Sequence, residues 1–171
     1  AMRPGMRERT ITISGLSKTF SITGWRIGYS ISHPKWTQTI GYFNDLVYVC
    51  APAPLQAAVA AGLRELPPDY YRGLASEYQK KRDQICAALQ AGGLRPYVPA
   101  GAYYVLADFS GLPGKTSKER AMYLLRKTGV ACVPGEAFYH DAAGENLARF
   151  CYAKPDDVLD EACRRLERLG A

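Results

Sequence analysis

Lys18 and Arg26 are the first residues whose types and spacing could do chemistry. They lie in Ser14-Gly15-Leu16-Ser17-Lys18-Thr19-Phe20-Ser21-Ile22-Thr23-Gly24-Trp25-Arg26-Ile27-Gly28-Tyr29. A lysine amine that its surroundings deprotonate condenses with an aldehyde to give a Schiff base, and the planar fork of an arginine suits a phosphate. Gly15, Ser17, Ser21 and Gly24 are small, so a ligand can approach the backbone closely while hydroxyls and N–H groups face an anion. Taken singly, Lys18 reads as a solvated loop lysine and Arg26 as a surface arginine. Taken together they read as a covalent cofactor site that this chain does not complete alone. A third residue is Arg149, in Leu147-Ala148-Arg149-Phe150-Cys151-Tyr152-Ala153. An arginine inside an otherwise apolar strand needs an anion or solvent, and a bidentate pair with a carboxylate would meet that need and orient an amino acid.

The elements that must position these residues follow from alternation, breakers and helical spacing. Residues 9–14 and 26–31 alternate in polarity, so Lys18 lies on a loop between two strands. After His33-Pro34, residues 36–49 read as a helix, and Pro52-Ala53-Pro54 interrupts the chain. Helices are expected over 55–66, ending at Pro67-Pro68, and over 70–89, ending near Gly92-Gly93, with Leu74, Tyr78, Ile85 and Leu89 on the apolar face of the second. Strands are expected over 94–98, 103–109, 130–133 and 147–153. Thr116-Ser117-Lys118-Glu119 is a capping box opening a helix that ends at Gly129, and Pro155 opens a last helix over 156–169. The order after Gly93 fits a small α/β domain with helices against a mainly antiparallel sheet.

Composition excludes several function classes. With 22 Lys and Arg against 16 Asp and Glu the net charge is +6, but the basic residues are interspersed with acids rather than striped. Lys80-Lys81-Arg82 shares its helix with Glu77 and Asp83, and Arg164, Arg165 and Arg168 share theirs with Asp160, Glu161 and Glu167, which marks solvated faces rather than a nucleic-acid surface. Five cysteines, at 50, 86, 132, 151 and 163, are widely spaced and never form a Cys-x-x-Cys pair, so a metal cluster or a disulfide framework is not expected. His33 and His140 are too separated for a metal site. The N-terminal stretch carries no signal-peptide pattern and no segment reaches a membrane span, so a soluble, cytoplasmic protein is expected.

The lysine stretch resembles the pyridoxal-phosphate signature of class I/II aminotransferases of fold type I: small and aliphatic residues, the lysine, then Gly24-Trp25-Arg26-Ile27-Gly28. Pro99-Ala100-Gly101-Ala102-Tyr103-Tyr104, Val133-Pro134-Gly135-Glu136-Ala137-Phe138-Tyr139 and the strand of Arg149 continue the resemblance in order. It implies that Lys18 is the Schiff-base lysine and proton carrier, that Arg26 and Ser17 bind the cofactor phosphate, and that Arg149 grips the substrate's α-carboxylate. Gly15 stands where many relatives carry a serine. Tyr103 and Tyr104 read as packing residues, and Gly101 and Ala102 as small residues at a substrate entrance.

The resemblance further implies an α/β fragment of the C-terminal half of that fold: 1–53 the end of a large cofactor-binding domain, 54–93 connecting helices, 94–171 a small C-terminal domain. In the family, other cofactor ligands precede the lysine; here 17 residues precede Lys18 and Glu8 is their sole acid. The expected function is transfer of an amino group between an amino acid and a 2-oxo acid, by a homodimer when complete, with the chain as given inactive alone. Two other readings share these residues: a pyridoxal-phosphate carbon–sulfur lyase, separated by its products, and an aminotransferase-like binding domain of a regulator, separated by an upstream DNA-binding domain.

Overall fold

A computed structural model describes residues 1–170. The chain forms two compact α/β units, Ala1–Tyr71 and Arg72–Ala171, and the division falls inside the helical stretch expected over 54–93.

In the first unit, β1 (Thr12–Gly15) and β2 (Gly28–Ile31) pair antiparallel, with Ser14 opposite Tyr29 and Gly15 opposite Gly28. Both strands are shorter than the alternation suggests. Arg7–Arg9 form a 3-10 turn instead of extending β1, and Arg26 lies outside β2 in the left-handed region at φ 57°. Helices α1 (Pro34–Val47) and α2 (Ala53–Glu65) follow. The imidazole of His33 caps α1 by accepting from the Lys35 N–H at 3.3 Å. Helix α2 begins two residues before the expected start, because Pro54 falls in its first turn, where a missing N–H costs nothing. The buried core here is small: Leu16, Ile27 and Val59, with Phe20, Ile22, Ala51 and Leu55 packed against them.

Helix α3 (Pro68–Ala91) leads into the second unit, whose sheet has the order β3 (Arg95–Tyr97), β4 (Tyr104–Asp108), β6 (Leu147–Cys151), β5 (Val133–Pro134), every pair antiparallel. Strand β5 is only two residues because Pro134 has no N–H to extend a ladder. In β4 and β6 burial alternates residue by residue. Val105, Ala107, Ala148 and Phe150 enter the core, whereas Tyr104, Leu106, Arg149 and Cys151 stand on the other face.

Two amphipathic helices cover the buried face. Helix α4 (Ser117–Thr128) buries Ser117, Ala121, Leu124 and Thr128, and α5 (Asp156–Glu167) buries Leu159, Cys163 and Leu166, both at helical spacing. Thr116 caps α4 by accepting from the Glu119 N–H at 3.2 Å, but the Glu119 carboxylate turns to the Lys115 N–H at 2.7 Å rather than closing the box on Thr116. Gly129 ends the helix at φ 74°, a left-handed position suited to glycine. Ile85 and Leu89 of α3 complete the core with Phe109, Leu124, Phe150, Tyr152, Leu159 and Leu166. Among the described residues no helix is long and apolar enough to cross a membrane, and no group of three His, Cys, Asp or Glu could hold a metal. Of the free cysteines, Cys86 and Cys163 are buried, Cys132 and Cys151 half-buried, and Cys50 exposed.

Candidate active-site elements

The lysine loop is anchored where it leaves and rejoins the strands. The Leu16 N–H donates to the Ile27 carbonyl at 3.2 Å, and both side chains are buried. Between them the chain makes successive turns, with the N–H of Phe20 on the Leu16 carbonyl, Ser21 on Lys18 and Trp25 on Ile22. Phe20 is held against the Tyr70 ring at 6.2 Å, and the Tyr70 hydroxyl donates to the Thr19 carbonyl at 2.6 Å. A loop fixed on both sides of residue 18 leaves an exposed lysine with a defined origin.

The residue that joins the candidates is Thr23. Its hydroxyl accepts from Lys18 Nζ at 3.3 Å and donates to the Ser17 carbonyl at 3.3 Å, while its own carbonyl accepts from Arg26 Nη1 at 2.9 Å. Lys18, Ser17 and Arg26 are therefore brought together around one threonine. Sequence reasoning passed over Thr23, since a threonine in a turn carries no signal of its own; the clue was only its place midway between the two basic residues. Arg26 spends one nitrogen on Thr23 and borders an open trough of about 970 Å³ that Ser14, Thr37, Asn44 and Gln56 also line.

Arg149 sits in the second unit, at the middle of β6, with Leu106 opposite it on β4 and Val133 opposite it on β5. Its guanidinium carbon lies 4.0 Å from the Tyr104 ring centroid and 4.3 Å from that of Phe138. Its Nε is buried and has no hydrogen-bond partner. A charged donor left so is costly unless an anion completes it, which is what a carboxylate would do. The hydrogen bond with the Tyr103 side chain, and then burial, push the Tyr104 phenol up, so that ring stays neutral beside the guanidinium at physiological pH.

Both aromatic neighbours are held from behind. Buried Tyr152 donates its hydroxyl to the Ala102 carbonyl at 2.9 Å and its N–H to the Tyr103 carbonyl at 3.1 Å, which pins the entry to β4, where Ala102 takes φ 72°. The turn carrying Phe138 is fixed by Ser117, whose hydroxyl donates to Glu136 Oε2 at 2.8 Å and accepts from the Glu136 N–H at 3.2 Å. Gly135 and Gly144 meet backbone to backbone beneath that turn. A Cβ on Gly135 would come within 2.2 Å of the Gly144 carbonyl oxygen, so neither position has room for a side chain.

The model of the family "Aminotransferase class I and II" matches residues 2–166. This chain belongs to that family. It is 37% identical, over 99% of its length, to the kynurenine–oxoglutarate transaminase of Dictyostelium discoideum, and 31% identical, over 97%, to the methionine aminotransferase of Escherichia coli. It covers 43% of each of those proteins. Among solved structures it superposes on an Escherichia coli methionine aminotransferase with TM-score 0.90 at 32% identity, covering 98% of this chain and 44% of that one. The N-succinyldiaminopimelate aminotransferase of Mycobacterium tuberculosis gives 0.88 at 35%, with 99% and 44% covered. The chain is thus an α/β fragment of the aminotransferase fold, from a family that uses pyridoxal phosphate, and spans less than half the length of these relatives.

Proposed function

We propose that this segment is the C-terminal part of a pyridoxal-phosphate aminotransferase that moves an amino group between an amino acid and a 2-oxo acid, working as a homodimer in its complete form. Residues 1–53 are the end of the large domain, 54–93 the connecting helices and 94–171 the small domain. The observation that carries the reading is the junction at Thr23, where an exposed lysine amine and an arginine fork share one residue as partner.

The side chains suit the cofactor. Lys18 offers an amine on a loop pinned at both ends, Arg26 has guanidinium nitrogens to spare for a phosphate, and half-buried Ser17 adds a hydroxyl on the same loop. Pyridoxal phosphate, when bound, supplies the electron sink that acidifies the substrate's α-carbon. Lys18 Nζ would be the base that takes the proton from that carbon and carries it to the cofactor, the direction that transfers the amino group, with its reach set by the Thr23 hydroxyl. Arg26 holds the phosphate dianion. Arg149 receives the α-carboxylate edge-on through a bidentate pair that satisfies its buried Nε–H and fixes the amino group's position.

The test is borohydride reduction of the cofactor-loaded full-length enzyme followed by peptide mapping. The cofactor is expected on the peptide containing Lys18. Its recovery on the peptides of Lys35 or Lys115 instead would overturn the assignment.

A further inference from the structure

We infer that Phe138 and Tyr104 are positioning residues that select an α-carboxylate by walling the Arg149 guanidinium with two aromatic faces. The inference rests on the α-carboxylate role proposed for Arg149 and adds the device that makes that role specific.

The geometry starts from the two ring contacts. A guanidinium carbon 4.0 Å from one ring centroid and 4.3 Å from another is in cation–π range of both. Two such walls flank the guanidinium, and an anion that pairs with it must do so through the N–H edge they do not occupy. A planar carboxylate pairs with that edge through two parallel hydrogen bonds. Attraction to the rings also holds the guanidinium in place before any anion arrives, so less rotamer freedom is lost on binding.

Neither ring is itself part of the core. Phe138 is 45% exposed, and neither it nor Tyr104 belongs to the buried cluster of this unit or to the residues packed against that cluster. An exposed phenylalanine is not explained by burial. Its surroundings are nonetheless built to hold it: the Ser117–Glu136 pair and the Gly135–Gly144 contact fix the turn that ends at Phe138. The supporting structure extends from α4 to a single ring that faces Arg149.

The full-length enzyme decides the matter through two ligands. One is the α-methyl derivative of its best amino-acid substrate, which binds without completing the reaction; the other is the amine that lacks the carboxyl group. Binding of each is followed by the absorbance of the loaded cofactor, with cofactor retention measured alongside. Phe138→Leu is expected to weaken the α-methyl acid about five- to thirtyfold, to leave the amine within about twofold, and to leave cofactor retention unchanged. Phe138→Tyr, which keeps the aromatic face, restores the acid to within about twofold of wild type, and Phe138→Met, which keeps bulk without a ring, does not. In steady state the loss appears in KM more than in kcat. An unchanged affinity for the acid in Phe138→Leu overturns the inference, as does an equal loss for acid and amine, or full binding by Phe138→Met. Arg149→Ala separates the two layers: it must abolish the preference for acid over amine. Should that preference survive in Arg149→Ala, the carboxylate role of Arg149 itself is wrong.

Discussion

The two units treat their apolar residues differently. In the second, β4 and β6 bury every other side chain under α4 and α5, so a single-faced sheet is covered by its own helices. In the first, all eight residues of β1 and β2 are exposed, Ile13 at 80% and Ile31 at 63% among them, and so is Val47 at 84%. Of the 22 large hydrophobic side chains that are exposed among the described residues, 15 lie in the first unit. Strands without cover cannot hold a sheet by hydrophobic burial. The second unit therefore buries a core of its own, whereas the unit with the lysine holds a well-defined loop on a poorly covered sheet.

The largest test of that contrast is the 171-residue segment itself. With Lys18 exposed and its strands uncovered, a cofactor bound there is open to water. The segment is expected to fold in its second unit, to bind pyridoxal phosphate weakly and to show no measurable amino-group exchange. Spectral titration and an amino-acid plus 2-oxo-acid assay check this, and stoichiometric tight binding with turnover would contradict it. Next in size is a pair of truncations followed by denaturant unfolding. Phe150→Ala empties a side chain that is 2% exposed and should cost about 3–5 kcal/mol. Ile13→Ala in the same segment should change stability by less than about 0.5 kcal/mol. If the strands of the first unit are covered in the full-length enzyme, Ile13→Ala should there cost about 2 kcal/mol or more, and equal effects in both settings would break the comparison.

A smaller effect divides the arginines of the two units. In the full-length enzyme Arg26→Ala should chiefly weaken cofactor retention and Arg149→Ala chiefly amino-acid binding, each by about 1.5–3 kcal/mol for a hydrogen bond to a charged group. Dialysis loss of cofactor, measured beside the KM for the amino acid, reads the two separately. A common loss of cofactor with no substrate defect in Arg149→Ala would sink the division of roles.

The smallest effect is a pH dependence in α5. Hydrogen bonds from Arg164 and then Arg165 pull the Glu161 carboxyl from its ordinary 4.5 down to about 2. A depressed folded-state value means that the stabilisation is present above about pH 4.5 and is lost as pH falls toward 2. Because the group is exposed, salt screens it. Glu161→Gln should shift the acid limb of the thermal midpoint slightly at low ionic strength and not at high, and a shift of equal size in high salt would exclude the surface pair as its cause.

Most elements were legible in the sequence because their signals are local. His33-Pro34, Pro52-Ala53-Pro54 and Pro67-Pro68 punctuate the helices and Gly129 ends one, although Pro34, Pro54 and Pro68 themselves fall in helix first turns rather than before them. The misread ends have local causes as well. The turn at Arg7–Arg9 shortens β1, and the left-handed backbone of Arg26 delays β2. Neither conformation is visible in side-chain polarity, which is what alternation measures.

What the sequence by itself determined is the order of helices and strands and the presence of Lys18, Arg26 and Arg149 in patterns that a family resemblance could carry, because those depend on residue type and short-range spacing. The tertiary structure alone decided that Thr23 joins Lys18 to Arg26, and that Tyr104 and Phe138 face Arg149. The first depends on how three successive turns fold the loop back on itself. The second depends on strand register and on a turn held from α4, which bring together residues 104, 138 and 149. Contacts of that kind are set by packing and backbone path, and no local pattern of residue types encodes them.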